Sequence, residues 1–132
     1  MDCIFCKIIA GQIPSAKIRE NDEFVAILDA FPACKGQALV MTKAHIGSDV
    51  FVMPNDQYSR FLLAVKEVVA LLRKGLQVER IGIVVEGMQV DHAHIKLYPF
   101  RGGKSFEGGL IGSEMAKEED LQTLANQIRN SI

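Results

Sequence analysis

The sequence predicts an α+β fold: one mostly antiparallel sheet of about five strands, a long central helix and a C-terminal helix. Three observations carry this. Five short segments are rich in branched apolar residues and bounded by turn residues, a long stretch between the third and fourth repeats apolar residues at helical steps, and a weaker repeat of that kind lies near the C-terminus.

The strand cores are centred on Ile18, then 24–28 (FVAIL), 37–42 (QALVMT), 81–85 (IGIVV) and 93–98 (AHIKLY). The central helix is read from Tyr58, Phe61, Leu62, Val65, Val68, Val69 and Leu72, with Asn55 available as a cap and Gly75 as a stop. The last helix follows Leu121, Leu124, Ala125 and Ile128, behind an acidic first turn of Glu118, Glu119 and Asp120 that suits the helix dipole. The five glycines within 101–112 mark a surface loop, and no repeat or low-complexity tract divides the chain. One domain, 1–132, is expected, since 132 residues can bury a sizeable core without covalent staples.

Charge excludes some functions. Fifteen Lys and Arg residues against 16 Asp and Glu leave no global field to attract nucleic acid or an anionic membrane, so an anionic ligand must be held by local groups. The N-terminus lacks a basic start followed by an apolar stretch, and the longest apolar run, 68–72, is too short to span a bilayer. Three cysteines, Cys3, Cys6 and Cys34, cannot all pair within the chain, so a reducing compartment, the cytoplasm, is expected.

The chemistry concentrates in Asp91-His92-Ala93-His94-Ile95-Lys96-Leu97-Tyr98. Alternation along a strand puts Ala93, Ile95 and Leu97 on one face and His92, His94, Lys96 and Tyr98 on the other. Two imidazoles and an ammonium on one face suit an anion, although the same pattern also describes a merely solvated face. Cys3 and Cys6 have zinc-chelating spacing and need two more ligands, for which His45, His92 and His94 are available. A thiol redox pair is the competing reading of Cys3-x-x-Cys6, although the strand and helix that frame such a pair are not expected here.

Cys3-Ile4-Phe5-Cys6 through Gln12-Ile13-Pro14-Ser15 strongly resembles the opening of bacterial and archaeal proteins of the histidine-triad (HIT) family. Ala26-Ile27-Leu28-Asp29, then residues 36–46, and finally Val90-Asp91-His92-Ala93-His94-Ile95-Lys96 follow the family's order and approximate spacing. The resemblance implies a HIT-like fold, a nucleotide substrate and a homodimer. It makes His94 the nucleophile, attacking the α-phosphate of a nucleoside monophosphate adduct to give a nucleotidyl-histidine that water hydrolyses. It assigns Cys3, Cys6, His45 and His92 to a structural zinc, Asp29 to the ribose hydroxyls, and Phe5, Ile8, Ile27 and Leu39 to the walls of the base pocket.

Two positions depart from the family. The third triad residue, usually histidine, is Lys96, which keeps the positive charge but gives up the switchable proton. A hydroxyl residue commonly stands three positions before the triad, where this chain has Gln89, which can hydrogen-bond phosphate but does not readily protonate a leaving group. Glu86, nearby, is expected to repel phosphate. The leading reading is a nucleotidyl hydrolase or transferase of the phosphoramidate type in which Lys96 and Gln89 assist His94. The alternatives are a zinc-stabilised nucleotide-binding module without efficient turnover, a dinucleoside polyphosphate hydrolase, and a thiol redox protein.

Overall fold

In the computed structural model of the chain, residues 2–102, 112 and 114–131 are described. The glycine-rich loop expected over 101–112 therefore falls mostly outside the described residues. The elements run α1 (Ile4–Ile9), β1 (Lys17–Glu20), β2 (Phe24–Leu28), β3 (Ala38–Thr42), a 3-10 turn (Val50–Val52), α2 (Asn55–Leu76), β4 (Arg80–Val84), β5 (His94–Phe100) and α3 (Glu118–Arg129). The strands form one five-stranded sheet of order β1-β2-β3-β5-β4, with every neighbouring pair antiparallel. This is the α+β architecture expected of the sequence.

Side-chain alternation divides the sheet between two layers. Phe24, Ala26, Leu28, Ala38, Val40, Ile95 and Leu97 join the main core with α2 and α3, through Phe61, Val65, Val68, Leu72, Leu121, Ala125 and Ile128. The opposite face carries Val25, Ile27, Leu39 and Met41, which pack with Cys3 and Phe5 of the N-terminal segment. Because β2 and β3 are covered on both faces, they read as continuous apolar runs.

Three local readings need correction. Asn55 is the first helical residue rather than the cap; Pro54 precedes it in extended conformation, and its carbonyl accepts the Tyr58 N–H at 2.9 Å. Gly75 does not stop α2 but lies buried within it, where a Cβ would come 2.7 Å from the Ile128 Cα, so it permits α2 and α3 to approach closely. The helix ends instead at Leu76, capped by Gln77 in left-handed conformation at φ 54°. The last strand begins at His94 rather than Ala93 and continues to Phe100; the side chains of its polar face, His94, Lys96 and Tyr98, are buried.

Sequence reasoning missed α1, a six-residue helix too short for a periodicity to register. Cys3 caps it, its Sγ accepting the Cys6 N–H at 3.4 Å. The Cys3–Cys6 pair thus does open a helix, contrary to the expectation, although no strand leads into it among the described residues.

Candidate functional site

Residues around 42–46 and 90–93 are laced together by backbone hydrogen bonds, Thr42 N–H to Ala93 O at 3.2 Å and Ala93 N–H to Ile46 O at 2.8 Å. This lacing brings His45 beside His92, just before β5 begins. His92 is fully buried. Its Nε2 is 2.6 Å from the Thr42 carbonyl, which can only accept, so the proton sits on Nε2 and the Nδ1 lone pair faces Cys3, Cys6 and His45.

The four donor atoms form a compact group. The His92 Nδ1 lies 3.3 Å from Cys3 Sγ, 3.5 Å from Cys6 Sγ and 3.3 Å from His45 Nδ1, and Cys6 Sγ lies 3.3 Å from His45 Nδ1. All four atoms fall within 4.8 Å of one another. Tetrahedral zinc with ordinary bond lengths separates a sulfur from a nitrogen by about 3.6 Å and two nitrogens by about 3.3 Å. The donor set and its spacing therefore fit a four-coordinate metal site.

His94, two residues after His92, is the first residue of β5. Its Nδ1 is 2.6 Å from the His92 carbonyl and therefore carries the proton, leaving the Nε2 lone pair available. Burial pushes both His92 and His94 below the usual histidine value, so both imidazoles are neutral near pH 7. The Phe5 ring meets the His94 ring edge to face, 4.9 Å between centroids at 83°, and the His92 ring at 5.8 Å and 79°.

A cavity of about 220 Å³ opens beside His94. It gathers every residue the sequence singled out for catalysis or nucleotide binding: His94, Lys96, Gln89, Asp29, Phe5, Ile8, Ile27 and Leu39. Register explains the grouping, since Leu39 lies opposite Lys96 and Met41 opposite His94 on β3, while Val84 of β4 lies opposite Lys96 on its other side. Tyr98, assigned to the same polar face, is buried but does not line this cavity.

Asp29, at the end of β2, is both a turn residue and a cavity residue. One carboxylate oxygen accepts the Phe31 N–H at 2.9 Å, and the other accepts the Gln37 side-chain amide at 2.8 Å. Gln37 is itself 1% exposed, and its Oε1 accepts the Ala33 N–H at 2.6 Å. Lys96 is 7% exposed, and its Nζ lies 3.6 Å from Glu86 Oε1. Glu86 therefore pairs with the cation in this site, where sequence reasoning assigned it only repulsion of phosphate.

Sequence reasoning did not place Ile4, Ser15, Phe31, Glu118 and Leu121 at the cavity, yet all line it. Glu118 and Leu121 come from α3, whose acidic first turn and apolar repeat signalled a helix but not its place at the cavity. Gln37 was read simply as a strand residue, and its polar type within an apolar run was the clue.

Comparison with known proteins shows the family and the fold. The HIT domain family matches residues 10–102. The Protein hit of Bacillus subtilis is 35% identical, over 99% of this chain and 94% of its own. The adenosine 5′-monophosphoramidase of Saccharomyces cerevisiae is 34% identical, over 92% of this chain and 75% of its own. A HIT-like protein from Bartonella henselae superposes with a TM-score of 0.81 at 26% identity, covering 99% of this chain and 97% of that one. The chain belongs to the HIT domain family. Among the described residues, no helix is long and apolar enough to cross a membrane.

Proposed function

We propose that this chain is a cytoplasmic nucleotidyl hydrolase or transferase of the zinc-containing HIT branch, with a variant H-x-H-x-K motif. It acts as one domain per chain in a homodimer, on nucleoside monophosphate adducts of the phosphoramidate type. The observation that carries this reading is His94, a neutral imidazole with Nδ1–H committed to the His92 carbonyl, lining the cavity that Asp29 and Lys96 also line. The name of the yeast relative, an adenosine 5′-monophosphoramidase, supports the substrate class.

In this reading the base lies among Phe5, Ile8, Ile27 and Leu39, and the ribose hydroxyls reach the Asp29 carboxylate. His94 Nε2 attacks the α-phosphorus, a new N–P bond forms, and the P–N bond to the leaving amine breaks as that amine takes up a proton from solvent water. Water then cleaves the nucleotidyl-His94 bond and releases the nucleoside monophosphate. Lys96 stabilises charge on the phosphate oxygens and Gln89 donates a hydrogen bond to them. Cys3, Cys6, His45 and His92 would hold the zinc, which would supply structural cross-linking, because four protein ligands would leave no position for an activated water.

The test is hydrolysis of adenosine 5′-phosphoramidate by the wild type and by His94→Ala, with AMP binding followed in both. Turnover that vanishes in the variant while binding survives is the expected result. Binding without turnover in either protein refutes the enzyme reading. It would instead support a nucleotide-binding module, which Lys96 and Gln89 favour because neither supplies the switchable proton that a leaving group needs.

A further inference from the structure

Among the described residues lining the cavity, Lys96 is the one Lys or Arg, against three carboxylates, Asp29, Glu86 and Glu118. Two of these acids are engaged elsewhere: Asp29 by the Phe31 N–H and Gln37, and Glu118 by the Gln122 side-chain amide at 2.9 Å. Glu86 is the one that stands against the ammonium, at 3.6 Å. We propose that Glu86 is a built-in counter-ion for Lys96, exchanged for the nucleotide phosphate on binding and restored on release, so that it sets how tightly the cavity holds a monophosphate. This rests on the reading that nucleotide phosphate sits between His94 and Lys96.

The physical need comes from burial. A lysine side chain that is more than nine-tenths buried is costly to charge without a partner, so before nucleotide binds the ammonium requires a resident anion. A phosphate provides the same charge compensation and adds hydrogen bonds, so the two anions compete for one cation. Affinity for a monophosphate is then the difference between two ion pairs. The product is held less tightly than a lone ammonium would hold it, which favours turnover over retention.

The fold fixes Glu86 for this role. Val84, the last residue of β4, lies opposite Lys96, and Glu86 follows two positions later. The next residue, Gly87, adopts φ +65°, a left-handed conformation in which a Cβ would meet the Ser48 Cβ at 2.7 Å. Ser48 Oγ donates to the Gly87 carbonyl at 2.8 Å. The backbone that carries Glu86 is thus pinned to the segment before α2.

The test is calorimetric titration of the full chain with AMP and, separately, with adenosine, which lacks the phosphate. Wild type, Glu86→Gln, Lys96→Met and the double variant are compared. Glu86→Gln should tighten AMP binding by about tenfold and leave adenosine binding unchanged, because the amide preserves shape but not charge. In the Lys96→Met background the same change should gain about twofold or less, since the cation it competes for is gone.

Three results overturn the counter-ion role while leaving the nucleotide site standing. They are AMP binding to the wild type with no gain in Glu86→Gln, an equal gain in the Lys96→Met background, and an equal gain for adenosine. The second would mean that Glu86 simply repels phosphate, and the third that it acts through packing. Failure of every protein to bind either AMP or adenosine overturns the nucleotide reading and this inference with it.

Discussion

Gln37→Leu separates the positioning of Asp29 from the packing around it. Gln37 is 1% exposed and its side chain makes two hydrogen bonds, one donated to the Asp29 carboxylate and one accepted from the Ala33 N–H. Leucine nearly conserves volume, so the perturbation is chiefly polar. A hydrogen bond to a charged group is worth about 2 kcal/mol and a neutral one about 1 kcal/mol, so the loss should be about 3 kcal/mol. With a urea slope of about 1.5 kcal/mol/M, the unfolding midpoint should fall by about 2 M. The released carboxylate should also lose its fixed orientation, so the preference for AMP over 2′-deoxy-AMP should shrink, as measured by competition binding. A midpoint shift below about 0.5 M would refute the energetic reasoning. An unchanged ribose preference in a folded variant would refute the positioning role.

Three further outcomes follow from the geometry. Elemental analysis should find about one zinc per chain, and stripping it with a chelator should lower the melting temperature by about 10 °C or more, whereas an unmoved melting curve would remove the metal from the account. Gly75→Ala should destabilise despite alanine's helix propensity, because a gain of about 1 kcal/mol is outweighed by a Cβ placed 2.7 Å from the Ile128 backbone; a raised melting temperature would show that α3 simply shifts away. Burial pushes the Tyr98 phenol up to about 12, so the neutral form favoured by the fold stabilises it below about pH 10, and that contribution is lost as pH rises to about 12. Ultraviolet titration of tyrosinate alongside chemical unfolding reads this directly, and a Tyr98 titrating near 10 would contradict it.

The parts of this molecule that could be read from sequence are those with a period or a pairing rule. The central helix declared itself because Phe61, Val65, Val68 and Leu72 recur on one buried stripe. Alternation in β5 correctly separated Ile95 and Leu97 from His94 and Lys96, and so put the two cavity residues on one face. The illegible parts depend on long-range partners. Nothing local distinguishes Gly75 as a helix crossing from Gly75 as a helix stop, because the difference lies in Ile128, 53 positions away. Glu86 looked like a hindrance because its partner, Lys96, comes within reach only once β4 and β5 pair. Gln37 could be noticed as a polar residue in an apolar strand, but its purpose needed Asp29 to be placed first.

The Cys/His group and His94 share their supports, and this bears on what a closed metal site can do for a reaction it does not touch. His94 is held in two ways: its Nδ1–H is bonded to the backbone carbonyl of His92, and its ring is braced by Phe5. His92 is one of the four clustered donors, and Phe5 lies in sequence between two others, Cys3 and Cys6. A cross-link among these donors would therefore fix α1 against the sheet and, through the same residues, fix both constraints on the His94 imidazole. The Nε2 lone pair takes no part in either constraint. On the proposed function, a metal there would act on His94 only through orientation, and the electrostatic burden at the phosphate would fall on Lys96, with Glu86 controlling how freely that charge is given.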